Sequence, residues 1–205
     1  MKTIKVQQNS DEWLQLRKGK ITGSKLKDIV VKRGTGKKLG FYELIADRLS
    51  IGADEEDVME RGHRLEEECV QAFIQSTGIK LETDIGMWIS DENENIAISP
   101  DAAVVSGDKY PIAFEAKCLS ASRHIQALVE QKIPDEYEFQ KLQYFIVNPY
   151  LETLYFGFYD PRVTAKPFHY IKVDRKDVKE DVATYLQYQI DTLKEVEAIV
   201  EQLAF

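Results

Sequence analysis

Glu115-Ala116-Lys117 closes the apolar run Pro111-Ile112-Ala113-Phe114, and Ser99-Pro100-Asp101 closes another, Ile96-Ala97-Ile98, its aspartate fourteen positions before Glu115. Charged side chains at the end of strand-like apolar runs constrain a fold strongly, because a carboxylate or ammonium withdrawn from water carries a desolvation cost that surface pairs avoid. In an extended segment Glu115 and Lys117 leave the same face, where Asp101 can meet them. Two carboxylates converging on one sheet edge make a hard oxygen-donor site suited to Mg²⁺ or Mn²⁺. A lysine beside them can orient an attacking water or help deprotonate it. The reaction class that such a site serves is phosphodiester hydrolysis.

The acid-x-Lys pattern alone is weak in a chain with 30% charged residues: Glu130-Gln131-Lys132, Asp174-Arg175-Lys176 and Asp177-Val178-Lys179 also match, and Pro134-Asp135 repeats the Pro-Asp half. None of these carries both halves in order. On local pattern, an ordinary ion-paired strand stands as an equal alternative to a nuclease site.

With 205 residues and 43% hydrophobic content, the chain can bury one substantial core and reads as a single domain over 1–205. No stretch approaches the roughly eighteen consecutive apolar residues of a membrane span. The start, Met1-Lys2-Thr3-Ile4-Lys5, lacks a signal-peptide core. A cytoplasmic protein without a membrane partner is expected. Cys69 and Cys118 are too few for a disulfide framework or a four-thiolate cluster, which disfavours an iron-sulfur site, and Cys118 is expected to pack as a small apolar residue beside Lys117.

The formal net charge of −8 conceals a strong asymmetry. Arg17, Lys18, Lys20, Lys25, Lys27, Lys32, Arg33, Lys37 and Lys38 face one acid, Asp28, in the same stretch. From Glu43 to Glu68, ten acids face Arg48, Arg61 and Arg64. A local basic block suits phosphate contact, while acidic surface elsewhere limits nonspecific association. The glycines of Arg33-Gly34-Thr35-Gly36-Lys37-Lys38 suit a loop, and they lack the spacing of a Walker phosphate loop.

The element order reads as α/β with helices at both ends. Ser10 is placed to cap a helix over Asp11 to Lys18 that Gly19 stops, and Ser24 to cap another reaching about Val31. A third helix is expected near Phe41 to Ser50 and a fourth from about Asp57 to Ser76, ended by Gly78. Strands are expected near Lys80 to Ile89, Asn95 to Ser99, Ala102 to Val105 and Ile112 to Cys118, with Gly107-Asp108 as a turn. A helix after Pro134, strands Thr153 to Tyr159 and Phe168 to Val173, and a long packing helix from about Lys176 complete the chain.

With these placements the chain resembles the phage-type alkaline exonucleases, the lambda exonuclease and YqaJ-like viral recombinase family. Besides the two motifs above, the likeness is carried by Trp13-Leu14-Gln15-Leu16-Arg17 leading to Ile21-Thr22-Gly23-Ser24, by Gly62-His63-Arg64-Leu65-Glu66, by Ser122-Arg123, and by Tyr137 with Gln140. It continues through Tyr155-Phe156-Gly157-Phe158-Tyr159-Asp160-Pro161-Arg162 to His169-Tyr170. Each block is weak, but their order and spacing together are specific. The resemblance implies a restriction-endonuclease-like (PD-(D/E)xK) core with a central mixed sheet flanked by helices. It implies a Mg²⁺-dependent enzyme, with Mn²⁺ able to substitute, that degrades one strand of duplex DNA from a 5′-phosphorylated end and leaves 3′ single-stranded tails for recombination. It further implies a homotrimeric ring around DNA, a single-strand annealing protein as partner, and a phage or prophage setting in the bacterial cytoplasm.

Residue by residue, the resemblance implies Asp101, Glu115 and the Ala116 carbonyl as metal ligands, with Glu66 helping to hold a second ion. Lys117 would position the nucleophilic water, and Gln140 would orient Lys117 or the substrate phosphate. Arg17, Ser24 and Ser99 would bind the 5′-phosphate, for which a guanidinium fork and hydroxyl donors are well suited. Arg123 could touch the DNA backbone, and Trp13 is expected in the core rather than as a base-stacking platform. Two alternatives stand beside this reading. One is a structure-selective endonuclease or repair nuclease of the same fold, and the other is a non-catalytic DNA-binding subunit; a Cas4-like nuclease is disfavoured for want of cysteines.

Overall fold

A computed structural model describes residues 1–31, 37–38, 40–41, 43–45, 59–119 and 121–204. Its central element is a four-stranded mixed sheet of β4 (Ala102–Ser106), β5 (Lys109–Lys117), β6 (Thr153–Tyr159) and β7 (Phe168–Asp174), in that order. The pairs β4/β5 and β6/β7 are antiparallel and β5/β6 is parallel. A parallel pair requires a crossover. Here it is made by α4 (Ala121–Glu130), a 3₁₀ turn at Asp135–Tyr137 and α5 (Glu138–Val147).

A separate three-stranded antiparallel sheet orders β1 (Lys2–Ile4), β2 (Met87–Ile89) and β3 (Ala97–Ile98). The helices α1 (Asp11–Arg17), α2 (Gly23–Ile29), α3 (Met59–Thr77) and α6 (Lys179–Leu203) surround the two sheets. Alternation along β5 sorts the core. Phe114 and Ala116 pack with Cys69, Val70 and Phe73 of α3. Ala113 faces the larger cluster, which includes Leu26 of α2, Leu142 and Phe145 of α5 and Leu193 of α6. Glu115 and Lys117 share the parity of Ala113, so they look toward α5.

Several sequence expectations hold at residue level. Ser10 caps α1 and accepts from the Trp13 N–H at 3.2 Å, and α3 ends at Gly78, whose φ of +72° suits glycine. Others need correction. The N-cap of α2 is Thr22, and Ser24 lies inside the helix. The strand foreseen over Lys80 to Ile89 is confined to β2, because the chain turns through positive φ at Asp84 and Gly86; Glu82 makes only an isolated bridge to Ala103. At Gly86 the backbone of Ile4 comes so close that a Cβ would stand 2.2 Å from its carbonyl oxygen.

The chain begins with a strand rather than a helix, and α4 has no counterpart in the expected element order. Three residues are too few for β1 to show a period, and the polar start of α4 hides its helical spacing. The long C-terminal helix starts at Lys179, since Arg175–Asp177 forms a 3₁₀ turn. That turn is tied down by the Arg175 guanidinium, which donates to the carbonyls of Leu151 at 2.6 Å and Phe145 at 3.0 Å. Of the third expected helix, residues 41 and 43–45 are helical, as is residue 40 just before it. Its remainder, the start of the fourth, and Lys32 and Arg33 of the basic block lie outside the described residues.

Candidate active site

The end of β5 extends past β4, whose last registered partner toward this end is Phe114, opposite Ala102. Ala116 is therefore beyond the antiparallel ladder, and its N–H donates to Asp101 Oδ2 at 2.7 Å. Residues of a ladder present N–H and C=O on one edge, so the Ala116 carbonyl leaves the strand on the side of Asp101 as well. The other carboxylate oxygen, Oδ1, accepts from Gln8 Nε2 at 3.3 Å.

Glu115 is 3% exposed, and both of its oxygens are engaged. Lys117 Nζ donates to Oε1 at 2.6 Å, Gln140 Nε2 donates to the same oxygen, and the Tyr144 hydroxyl donates to Oε2. Gln140 and Tyr144 stand one turn apart on α5 and so reach the same carboxylate. Of the two partners expected for Gln140, Lys117 or the substrate phosphate, the first is replaced by Glu115. No motif or periodicity in the sequence marks Gln8. The i, i+4 spacing from Gln140 is the one signal that marks Tyr144.

The electrostatics follow from this crowding. Desolvation first, then the neighbouring Glu115 and Glu66 carboxylates, push Asp101 well above the usual carboxylate range, against the pull of Lys117 and the Ala116 N–H. Burial pushes the Lys117 ammonium down, but Glu115 and Asp101 outweigh it and the net shift is upward. Lys117 is therefore a standing cation, suited to orienting a water more than to removing its proton. Its ammonium also lies 4.8 Å from the Tyr137 ring centroid. Burial raises the thiols of both Cys69 and Cys118, the latter to about 12, so neither is primed as a thiolate ligand.

A second group lines the same cleft. The Arg17 guanidinium lies over the Trp13 ring, 4.2 Å from its centroid, and Nη2 donates to Ser24 Oγ at 3.2 Å and Thr22 Oγ1 at 3.3 Å. Trp13 is buried, as expected, yet its Nε1 also donates to Ser99 Oγ at 3.1 Å and so ties the group to the Ser99-Pro100-Asp101 segment. Because Thr22 rather than Ser24 takes the N-cap position, the Ser24 hydroxyl is available to Arg17. Gly23 lets α2 pack close against β3 and α5: a Cβ there would stand 2.9 Å from Ile98 Cδ1 and 3.0 Å from Gln140 Cγ.

Arg17, Ser24, Ser99, Glu66, Asp101, Glu115, Ala116, Lys117 and Gln140 all line one cleft of about 320 Å³, within the size range of small-ligand sites. Arg123 does not line it; its guanidinium pairs at 2.8 Å with Glu136, which does. Asp101 and Glu115, with Glu66 nearby, supply hard oxygen donors of the kind that Mg²⁺ and Mn²⁺ take. Among the described residues no group of three or more His, Cys, Asp and Glu side chains is gathered as a finished metal cage. The donor chemistry fits a divalent cation, with Glu115 having to yield part of its present hydrogen bonding.

Comparison with known proteins gives the family and the fold. A family model described as a YqaJ-like viral recombinase domain matches residues 12–150. Among solved structures, an alkaline exonuclease (LHK-Exo) from Laribacter hongkongensis is 24% identical, with a TM-score of 0.78 over 95% of this chain and 96% of that one. The structure of LHK-Exo in complex with dAMP is similar at 25% identity and a TM-score of 0.77, over the same shares of the two chains. A phage related exonuclease from Haemophilus somnus 129PT shares the fold at 14% identity and a TM-score of 0.61, covering 90% of this chain and 95% of that chain. No curated protein sequence matches the chain.

Proposed function

The chain belongs to the YqaJ-like viral recombinase domain family, and from that premise we propose that it is a Mg²⁺-dependent 5′-to-3′ exonuclease. It degrades one strand of linear duplex DNA from a 5′-phosphorylated end, on a restriction-endonuclease-like PD-(D/E)xK core. The observation that carries this reading is that one cleft holds both the Asp101, Glu115 and Lys117 cluster and the Arg17, Ser24 and Ser99 group. A mononucleotide, dAMP, bound to LHK-Exo is of the product class that such an enzyme releases.

In this mechanism Asp101, Glu115 and the Ala116 carbonyl hold the cation, with Glu66 alongside. The cation, when bound, supplies Lewis-acid stabilisation of the charge that builds on the phosphate oxygens. Lys117 orients the attacking water, and Gln140 with Tyr144 holds Glu115 in place. Arg17 and Ser24 grip the terminal phosphate, while Ser99 presents a further hydroxyl whose own position is set by Trp13. Cleavage that releases a nucleoside 5′-monophosphate leaves a new 5′-phosphate on the shortened strand, so the same grip serves the next cycle. The products are 3′ tails for homologous recombination, available to a single-strand annealing protein in the bacterial cytoplasm. A homotrimeric ring would make the digestion processive, and sedimentation showing a stable monomer with distributive digestion would remove the ring.

The deciding experiment uses linear duplexes with a 5′-phosphate or a 5′-hydroxyl, labelled at each end in turn, with Mg²⁺. Charge-assisted hydrogen bonds are roughly twice as strong as neutral ones, so the phosphorylated end is digested faster, and Arg17→Ala lowers that preference and the processivity together. Equal rates on both duplexes, or loss of the 3′ label first, contradict the reading. Cutting of closed circles brings forward the endonuclease alternative.

A further inference from the structure

Asp101 stands between two clefts. One is the cleft just described; the other, of about 450 Å³, is lined by Glu66, Glu67, Thr83 and Asp84. Gln8 lines both, as Glu66 does. Local hydrogen bonds hold it there. The Ser10 hydroxyl and N–H both return to the Gln7 carbonyl, at 2.7 and 3.2 Å, Asn9 turns the chain at φ +62°, and Ser10 then caps α1. Residues 7–10 form a short strap between β1 and α1, and Gln8 is the residue of the strap that reaches Asp101. It also precedes the segment 12–150 matched by the family model.

We propose that Gln8 is a positioning residue for Asp101, its amide fixing the plane of the carboxylate against the Ala116 N–H. A carboxylate held at one oxygen swings about a broad terminal torsion. Donors on both oxygens, Ala116 N–H at 2.7 Å and Gln8 Nε2 at 3.3 Å, leave one orientation. The chemistry of the donor matters as much as its place. A lysine at this position would cancel the negative charge that attracts a divalent cation, whereas an amide orients the carboxylate and leaves its charge intact. Partners of this kind set metal affinity and activity by about 10- to 100-fold in metalloenzymes. The inference rests on the nuclease reading above.

The test titrates Mn²⁺ into wild type and Gln8→Met without DNA, by electron paramagnetic resonance, and measures kcat and KM on a 5′-phosphorylated duplex. Methionine keeps the length of the side chain and removes the donor. The expected result is a Mn²⁺ dissociation constant about tenfold or more higher and a kcat lower by a similar factor, with KM and Tm unchanged. Gln7→Met, on the exposed neighbour, behaves as wild type. Wild-type Mn²⁺ affinity and kcat in Gln8→Met overturn the proposal. So does a joint loss of Tm, DNA affinity and kcat, which marks Gln8 as a strut of the strap. A wild type that neither binds Mn²⁺ nor cleaves DNA overturns the nuclease reading itself and is distinguished from both by that control.

Discussion

Tyr144 donates its hydroxyl to Glu115 Oε2 from inside the core, with the tyrosine wholly inaccessible to solvent and the glutamate 3% exposed. Burial first, then the Glu115 carboxylate, raises the Tyr144 phenol well above its usual range, so it stays protonated and remains a donor. Lys117 and Gln140 engage only Oε1, which leaves Oε2 dependent on this one hydroxyl among the hydrogen bonds described.

Tyr144→Phe therefore leaves a buried carboxylate oxygen without its donor. The expected loss is about 1–3 kcal/mol of unfolding free energy, measured by urea denaturation. DNA cleavage falls with it, because Glu115 is then held at one oxygen. An unchanged midpoint and unchanged rate would show that water takes over the role of the hydroxyl.

Asp101→Asn separates stability from activity. A carboxyl whose folded pKa lies above its unfolded value adds stability that is complete below the unfolded pKa and is lost as pH rises through the folded one. Asp101 is shifted in this direction by desolvation, Glu115 and Glu66. At alkaline pH with a chelator, Asp101→Asn should melt higher than wild type, yet show neither the rise in Tm that Mn²⁺ gives wild type nor DNA hydrolysis. Glu115→Ala should also lose hydrolysis, while Lys117→Ala should lose it and still bind Mn²⁺. Hydrolysis by Asp101→Asn within about tenfold of wild type would contradict the metal site.

Gly23→Ala tests how α2 is seated. The added Cβ would press on Ile98 Cδ1 at 2.9 Å and Gln140 Cγ at 3.0 Å. Overpacking of this kind costs about 1–3 kcal/mol, read as a lower Tm. Since Gln140 also donates to Glu115, cleavage should drop by more than the Tm change accounts for. A normal rate at a reduced Tm would mean that Gln140 relaxes without disturbing the carboxylate.

His169 sets an acid limit to stability. It is 6% exposed, stacks on Phe158 with centroids 5.0 Å apart, and among the described residues neither ring nitrogen has a hydrogen-bond partner. Burial first, then His124 and Lys166, lowers its pKa from 6.5 to about 4. The unfolded chain thus binds a proton more readily than the folded one, so stability is present above the unfolded value and is lost as pH falls through the folded value. Between about pH 7 and pH 4.5, wild type should lose more stability in urea than His169→Phe. Parallel pH profiles for the two proteins would assign the acid sensitivity to other groups.

The sequence by itself determined what depends on local geometry. Alternation along β5 put Glu115 and Lys117 on one face, Ser10 announced the start of α1, and Gly78 announced the end of α3, because strand parity and helix capping are properties of a few neighbouring residues. Only the tertiary structure decided which groups complete the site. Gln8 reaches Asp101 across 93 positions, Trp13 reaches Ser99 across 86, and Tyr144 reaches Glu115 across 29. The two helix starts show the same division. Ser10 caps α1 through its own neighbours, whereas Ser24 is drawn off capping duty because the chain places Thr22 at the boundary and brings Arg17 to its hydroxyl. Periodicity states which face a side chain leaves by; what it meets there is settled by how the two sheets, α2 and α5 pack, and that packing depends on the whole chain at once.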